Sequence, residues 1–307
     1  MRDDAHLPRR RLGASALVLA VTKARPARAA NALDALLEAT ALQGGYVAAT
    51  AAEAARSEEL FLRLLRGEYG TALAEAFRPL GFVLETLSLG PETLAVLREA
   101  PGAATGKGLY VVRSPGTAPV ALQAPHRFHD LDTGTIVARL MAEEVRFAAA
   151  SWNTTPRRHD DAAGRRVDAD LAHAPISHFN AFTRAFGRSR PGGLVAQLHG
   201  FEQGRRSSSA GGTAAMIVSA GTASPGPQVR ASAACLRAGP EAWQVLLYPE
   251  DVRELGGTTN TNAAALRALG GTTEFLHLEM AREPRRRLAR EVAPRRHFAA
   301  CLIGAGR

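Results

Sequence analysis

Histidines and carboxylates gather at three places in the 307-residue chain, each directly after an apolar run that reads as a strand. The first is Pro125-His126-Arg127-Phe128-His129-Asp130-Leu131-Asp132, with two imidazoles and two carboxylates on a short loop. The second is His199-Gly200-Phe201-Glu202, and the third is His277-Leu278-Glu279. Imidazole and carboxylate are ligand types that zinc takes, and a hydrolytic site uses three of them with a position left open for water. A nearby carboxylate that does not bind the metal can then accept the proton of that water. Which of His129, Asp130 and Asp132 accompanies His126 is open at this level, and His126-x-x-His129 can itself be the pair. Asp132 and Thr133 also stand where they can cap a helix, and His129 can touch substrate. Gly200, directly after His199, lets a backbone approach a ligand closely.

Such groups are useful only if separate strand ends meet. From about residue 108 the text alternates short apolar runs with helical periodicity: strands over 109–112, 119–124, 145–150, 193–198, 214–219, 243–248 and 274–278, and helices over 135–144, 178–186 and 261–269. That alternation predicts an α/β domain with a sheet covered on both faces, in which function collects where loops leave the carboxyl ends of strands. Residues 30–107 read as a mostly helical lead-in packed on the domain 108–307. Leu33, Leu36 and Leu37, then Leu60, Leu64 and Leu65, then Leu73, Ala76 and Phe77 recur at helical spacing, and Pro91-Glu92 reads as a further helix start.

Apolar residues make up 46% and charged residues 22%, ordinary globular usage that excludes wholesale disorder. No apolar run reaches the ~18 residues of a spanning helix. The net charge of +9 is confined to the ends: residues 1–30 carry +5, residues 282–307 carry +6, and the remainder sums to −2. With aromatics at 6% and not interleaved with the basic residues, nucleic-acid binding is not expected. Arg9-Arg10-Arg11, the apolar stretch 12–21 and Ala27-Arg28-Ala29 give residues 1–29 the look of a twin-arginine export signal, hence a periplasmic or secreted protein. Cys235 and Cys301 can pair there or stay as two buried thiols.

Taken in order, Pro125-His126-x-x-x-Asp130 before a Thr-Gly-Thr helix start, Gln197-Leu198-His199-Gly200, and Leu278-Glu279-Met280-Ala281-Arg282 resemble the zinc-dependent amidohydrolases. That group includes N-formylglutamate amidohydrolases and poly-γ-glutamate hydrolases, related in fold to zinc carboxypeptidases. Leu255-Gly256-Gly257-Thr258-Thr259-Asn260 resembles the Gly-rich, Asn-bearing loop before the Glu strand. The resemblance spans roughly residues 108–290. It implies a mixed, mostly parallel sheet of the zinc exopeptidase type, one Zn2+ on His126, Asp130 and His199, and Glu279 as general base. It also implies Arg282 as a contact to a substrate carboxylate, since a guanidinium fork suits bidentate pairing. Many relatives have Glu, at a slightly different offset, where Asp130 stands.

The implied reaction is hydrolysis of an amide or peptide bond in a carboxylate-bearing substrate, such as a glutamyl compound or a cell-wall peptide. Asn260, His173 from Asp170-Leu171-Ala172-His173, and Arg158 from the polar stretch 153–168 are further candidate substrate contacts. The last two have plain alternatives as a surface histidine and a solvated loop. Gly102 to Gly108 lacks the spacing of a phosphate loop, and no Gly-x-Ser-x-Gly elbow is present. Two rivals remain: a non-catalytic metal- or ligand-binding protein on the same fold, and an anion- or membrane-surface binder using the Arg-rich end.

Overall fold

The computed structural model describes residues 26–89, 92–113 and 117–304. The expected export segment, residues 1–29, falls outside them apart from its last four positions, which begin α1 (Pro26–Ala39). The strands are β1 (Phe82–Leu89), β2 (Glu92–Glu99), β3 (Leu109–Arg113), β4 (Ala118–Ala124), β5 (Phe147–Trp152), β6 (Arg158–Asp160), β7 (Arg166–Asp168), β8 (Leu194–Gly200), β9 (Met216–Ser219), β10 (Val245–Leu247) and β11 (Glu274–Met280). Nine of them form one mixed sheet in the order β1-β2-β3-β5-β4-β8-β11-β9-β10, and β6 pairs with β7 in a separate ribbon. The central strands β5, β4, β8 and β11 run parallel, and β1, β2 and β3 add an antiparallel flank. This is the α/β class expected from the alternation of runs.

Helices cover both faces. On one side lie α1, α4 (Thr133–Glu143), α7 (Pro227–Arg237), α9 (Arg282–Arg290) and α10 (Val292–Gly304). On the other lie α2 (Ala51–Leu65), α3 (Thr71–Phe77), α5 (His178–Ser189) and α8 (Thr261–Ala268), while the short α6 (Ser209–Thr213) sits in the loop after β8. Neighbouring strand residues serve opposite cores: Val111, Leu122 and Ala196 face the first, Val112, Ala121 and Val195 the second. That is why these strands read as unbroken apolar runs rather than alternating ones. Phe179, Phe182 and Phe186, one helical face of α5, fill the second core with Phe61, Phe77 and Phe82.

Residues 92–99 are a strand, not the helix that Pro91-Glu92 suggested. Leu94 and Leu97 have helical spacing, yet they lie on opposite faces, Leu94 with Val96 in one core and Leu97 with Ala95 in the other. Pairing of Leu84 with Leu97 and Thr86 with Ala95 makes the β1–β2 hairpin part of the main sheet. Polar 153–168 contains the β6–β7 ribbon instead of a bare loop. Cys235 on α7 and Cys301 on α10 form a disulfide.

Candidate metal centre

β4 ends at Ala124, and the chain turns at once so that the Asp130 N–H donates to the His126 carbonyl (2.8 Å). This single turn places the two side chains on one side of the loop. β8, the next strand, ends with His199 and Gly200, and parallel β11 brings Glu279 into register beside His199. The three strand ends singled out in the sequence therefore do meet, at the carboxyl edge of the parallel strands.

His126 Nδ1 lies 3.1 Å from His199 Nδ1, Asp130 Oδ2 lies 3.4 Å from the first and 3.3 Å from the second. All three residues are buried. The outer ring nitrogens are already spoken for. His126 Nε2 donates to Asp170 Oδ1 at 2.7 Å, and His199 Nε2 donates to Gln197 Oε1 at 2.9 Å.

The tautomer of His199 is fixed from further away. Asn260 Oδ1 accepts the N–H groups of Asn262 and Ala263 as the N-cap of α8, so its Nδ2 must donate, to Gln197 Oε1 at 2.5 Å. Gln197 Nε2 in turn donates to Gln123 Oε1, and Gln123 Nε2 to Ser151 and Thr183. With Gln197 Oε1 forced to accept, His199 Nε2 carries the proton and Nδ1 presents its lone pair.

Two ring nitrogens and a carboxylate oxygen thus converge, bridged by a proton that His126 or His199 shares with Asp130 unless a cation takes its place. Either a shared proton or a cation must occupy that space. The separations of 3.1–3.4 Å match the edge of about 3.3 Å between neighbouring ligands of a tetrahedral ion with ~2.0–2.1 Å bonds. The donor set fits zinc in type as well as spacing, and Asp170 and Gln197 supply the outer hydrogen bonds that ligating histidines use.

The electrostatics follow from burial and crowding. Burial disfavours the His126 imidazolium, but Asp130 and Asp170 outweigh it and raise the ring to about 9. Burial likewise works against the Asp130 carboxylate, and hydrogen bonds from His126 and His199 hold it well below its usual range. His199 is lowered chiefly by burial. Glu279 is pushed up to about 8 by burial and then by the Asp130 charge, against the pull of His126, Arg206 and Arg285. Its Oε2 is buried without a partner, and Oε1 lies 3.7 Å from His277 Nε2.

The remaining sequence candidates divide. His173 sits at the rim, with Nδ1 3.1 Å from the second oxygen of Asp170. His129 is exposed on the same loop, and its ring does not join the converging atoms. Asp132 occupies the N-cap position of α4 with a left-handed backbone (φ 74°) and makes no capping bond, so neither the cap nor the ligand role falls to it. Asn260 is buried, with Oδ1 capping α8 and Nδ2 donating to Gln197, so the protein itself engages both ends of its amide. Arg158 is exposed on the β6–β7 ribbon without a bond to any site residue. Arg282 is exposed at the first position of α9, because the chain leaves β11 at Met280 and turns outward there. Arg285, one helical turn on, donates from Nη1 to the Leu131 carbonyl at 2.8 Å.

Asp170 and His277 complete the arrangement. Asp170 stood beside His173 in the sequence, but its approach to His126 depends on a crossing between distant loops. His277 packs on the His199 ring with centroids 4.5 Å apart, close against Gly257 (φ 58°), where an added Cβ would lie 2.8 Å from the imidazole.

No family model matches the sequence, and no curated protein matches it. Solved structures similar to this chain include N-formylglutamate amidohydrolase from Ralstonia eutropha, at 12% identity, covering 64% of this chain and 96% of that one with a TM-score of 0.41. A metallo-carboxypeptidase from Burkholderia cenocepacia is 14% identical over 78% of this chain and 70% of its own, with a TM-score of 0.38. Leucyl aminopeptidase from Trypanosoma brucei is 13% identical over 81% and 60%, with a TM-score of 0.29.

Proposed function

We propose that the protein is a zinc-dependent hydrolase that cleaves an amide or peptide bond in a carboxylate-bearing substrate. The observation that carries this is the triangle of His126 Nδ1, Asp130 Oδ2 and His199 Nδ1, two ring nitrogens and a carboxylate oxygen at 3.1–3.4 Å with their outer partners fixed. A zinc ion held by these atoms supplies Lewis acidity, lowering the pKa of water to ~7 and polarising the scissile carbonyl.

The chain's own groups do the rest. Asp170 and Gln197 hold the two imidazoles in the ligating tautomer. Glu279, unpaired at Oε2, takes a proton from the attacking water and returns it to the leaving nitrogen. Glu279, raised by burial, would be held in the ionised form a base needs if His126, Asp130 and His199 carried a dication. The positive charges of Arg206 and Arg285, both felt by Glu279, support an anionic substrate. The disulfide between Cys235 and Cys301 supports the periplasmic or secreted location, since such bonds persist in oxidising compartments.

Glu279→Gln tests the catalytic reading against a protein that only binds metal. Turnover of glutamyl and peptide amides is expected to fall ~10²–10⁴-fold with zinc content unchanged. Full turnover in that variant rejects Glu279 as the base.

A further inference from the structure

The arginines of α9 are sorted into rows. Its buried stripe is Pro284, Arg285, Leu288 and Ala289. Towards solvent, one row holds Glu283 and Arg287 and continues to Glu291. Arg287 lies 3.8 Å from Glu283 and 3.1 Å from Glu291, and Glu241 adds a third carboxylate at 3.1 Å. The other row is Arg282, Arg286 and Arg290, four residues apart, all exposed and without a hydrogen bond or ion pair. Like charges at that spacing repel, and both carboxylates at hand on the helix go to Arg287 instead.

This row leads to a cavity of about 420 Å³ between the far ends of α4 and α9 and the first turns of α10. Its walls carry Arg139, Arg146, Arg290, Arg295 and Arg296 against two carboxylates, Glu143 and Glu144. Both carboxylates are already engaged, Glu143 by Arg295 at 2.8 and 2.6 Å and Glu144 by Arg146 at 2.8 and 2.7 Å. Arg290 and Arg296 are left unpaired, and Nε of Arg139 is buried without a partner. The rest of the lining is apolar, from Leu140, Val292 and Ala299.

Aliphatic groups are exposed at the same place. Six large hydrophobic side chains are exposed among the described residues, and two of them are here. Val292, in the cavity wall, is 51% exposed, and Val145, between Glu144 and Arg146, is 52% exposed. Valines beside unpaired arginines match a boundary in which an apolar layer lies beneath an anionic one. The position agrees. α4 starts beside Asp130 and α9 directly after β11, and both run away from the metal centre for about 14–16 Å. The corner thus stands at the opposite edge of the sheet, and contact there leaves the metal centre uncovered.

We propose that this corner docks the protein on an anionic phospholipid surface. Arg290 and Arg296 receive headgroup phosphates at the cavity mouth, Arg286 adds charge beside them, and Val145 and Val292 enter the acyl boundary. An unpaired guanidinium offers phosphate two parallel N–H groups. Docking does not depend on the hydrolase reading and is measured without turnover.

Co-sedimentation of the full chain with vesicles in about 0.1 M salt tests it. Wild type is expected to bind vesicles of equal parts phosphatidylglycerol and phosphatidylcholine, and not pure phosphatidylcholine. An arginine near such a surface contributes about fivefold in affinity, so R286Q/R290Q/R296Q is expected to bind about a hundredfold more weakly. V292S, which keeps every charge, is expected to bind severalfold more weakly. R78Q/R158Q/R253Q removes the same charge from exposed arginines on other elements and is expected to keep most of the affinity. The basic residues 1–30 are common to all these proteins, so the comparison isolates the corner. Amide exchange over 286–296 is read alongside, with protection by mixed vesicles expected in wild type and not in R286Q/R290Q/R296Q.

A wild type that binds both vesicle types alike overturns the proposal, as does an unchanged affinity in R286Q/R290Q/R296Q or V292S. An equal loss in R78Q/R158Q/R253Q, or unprotected amides over 286–296 in bound wild type, overturns it too. Displacement by millimolar inorganic phosphate at constant ionic strength would instead mark a site for the free ion. Binding of a DNA duplex as tightly as the vesicles would mark a general polyanion surface, and either result rejects the membrane.

Discussion

His126 and His199 each commit one ring nitrogen to a neighbour, and what remains are two ring nitrogens facing a carboxylate. Asp170→Asn weakens the acceptor on His126 Nε2 while keeping its shape, so zinc affinity is expected to fall ~10–100-fold in competition with a chelator. An unchanged affinity would show that Asp170 does not orient the ligand. A second histidine matters for stability instead. His178 is buried at the start of α5 against Ser57 Oγ (2.7 Å), and burial, then the Lys107 charge, lower it to about 4. Below an unfolded value of ~6.5 the unfolded chain takes up a proton that the folded chain refuses, so stability falls as pH drops towards 4 and then levels. In urea unfolding at pH 7 and 4.5, the stability difference between wild type and His178→Asn is expected to shrink by about 2–3 kcal/mol. A pH-independent difference would contradict this. At this scale His126, Asp130 and His199 stood out as candidates because their residue types gather at or shortly after strand ends that read as apolar runs. Asp170 beside His126 did not, since their meeting depends on a crossing between distant loops.

Elements connect these residues. The N-terminus of α8 sets the Asn260 amide, Asn260 sets Gln197, and Gln197 sets the proton of His199. Asn260→Asp preserves a good helix cap but removes the donor to Gln197. It is therefore expected to weaken zinc binding about tenfold with little loss of stability. Asn260→Ala loses the cap as well and should cost ~1 kcal/mol in addition. Equal zinc affinity in all three proteins would break the proposed relay. Strands buried on both faces were readable as apolar runs, and α4, α5 and α8 from their period. β2 was misread because Leu94 and Leu97 fit a helix period equally well, and only pairing with β1 distinguishes the two. Arg-rich α9 escaped notice because most of its residues are charged, although Pro284, Leu288 and Ala289 give it a buried stripe.

Across the whole molecule, nine strands place three loops from β4, β8 and β11 at one sheet edge, and two helical layers shield that edge's foundations. The disulfide joins α7 to α10 across 66 residues of chain. For a loop of that length the chain-entropy estimate is about 4 kcal/mol, so reduction or Cys301→Ser is expected to lower unfolding free energy by roughly that amount. Identical unfolding curves with and without reductant would show that the bond does not constrain the unfolded chain. Such long-range pairing was open in the sequence, where two cysteines allow either state. The charge distribution was fully legible there, and it leaves a near-neutral body around the candidate metal centre.

The central claim is that His126, Asp130 and His199 hold a metal ion. Elemental analysis of protein purified without added metal or a histidine tag, beside the His126→Ala/His199→Ala double variant, measures it directly. About one zinc per chain in the wild type and none in the variant is the expected result. A wild type that takes up no metal even after zinc reconstitution, or a double variant that keeps it, would contradict the claim.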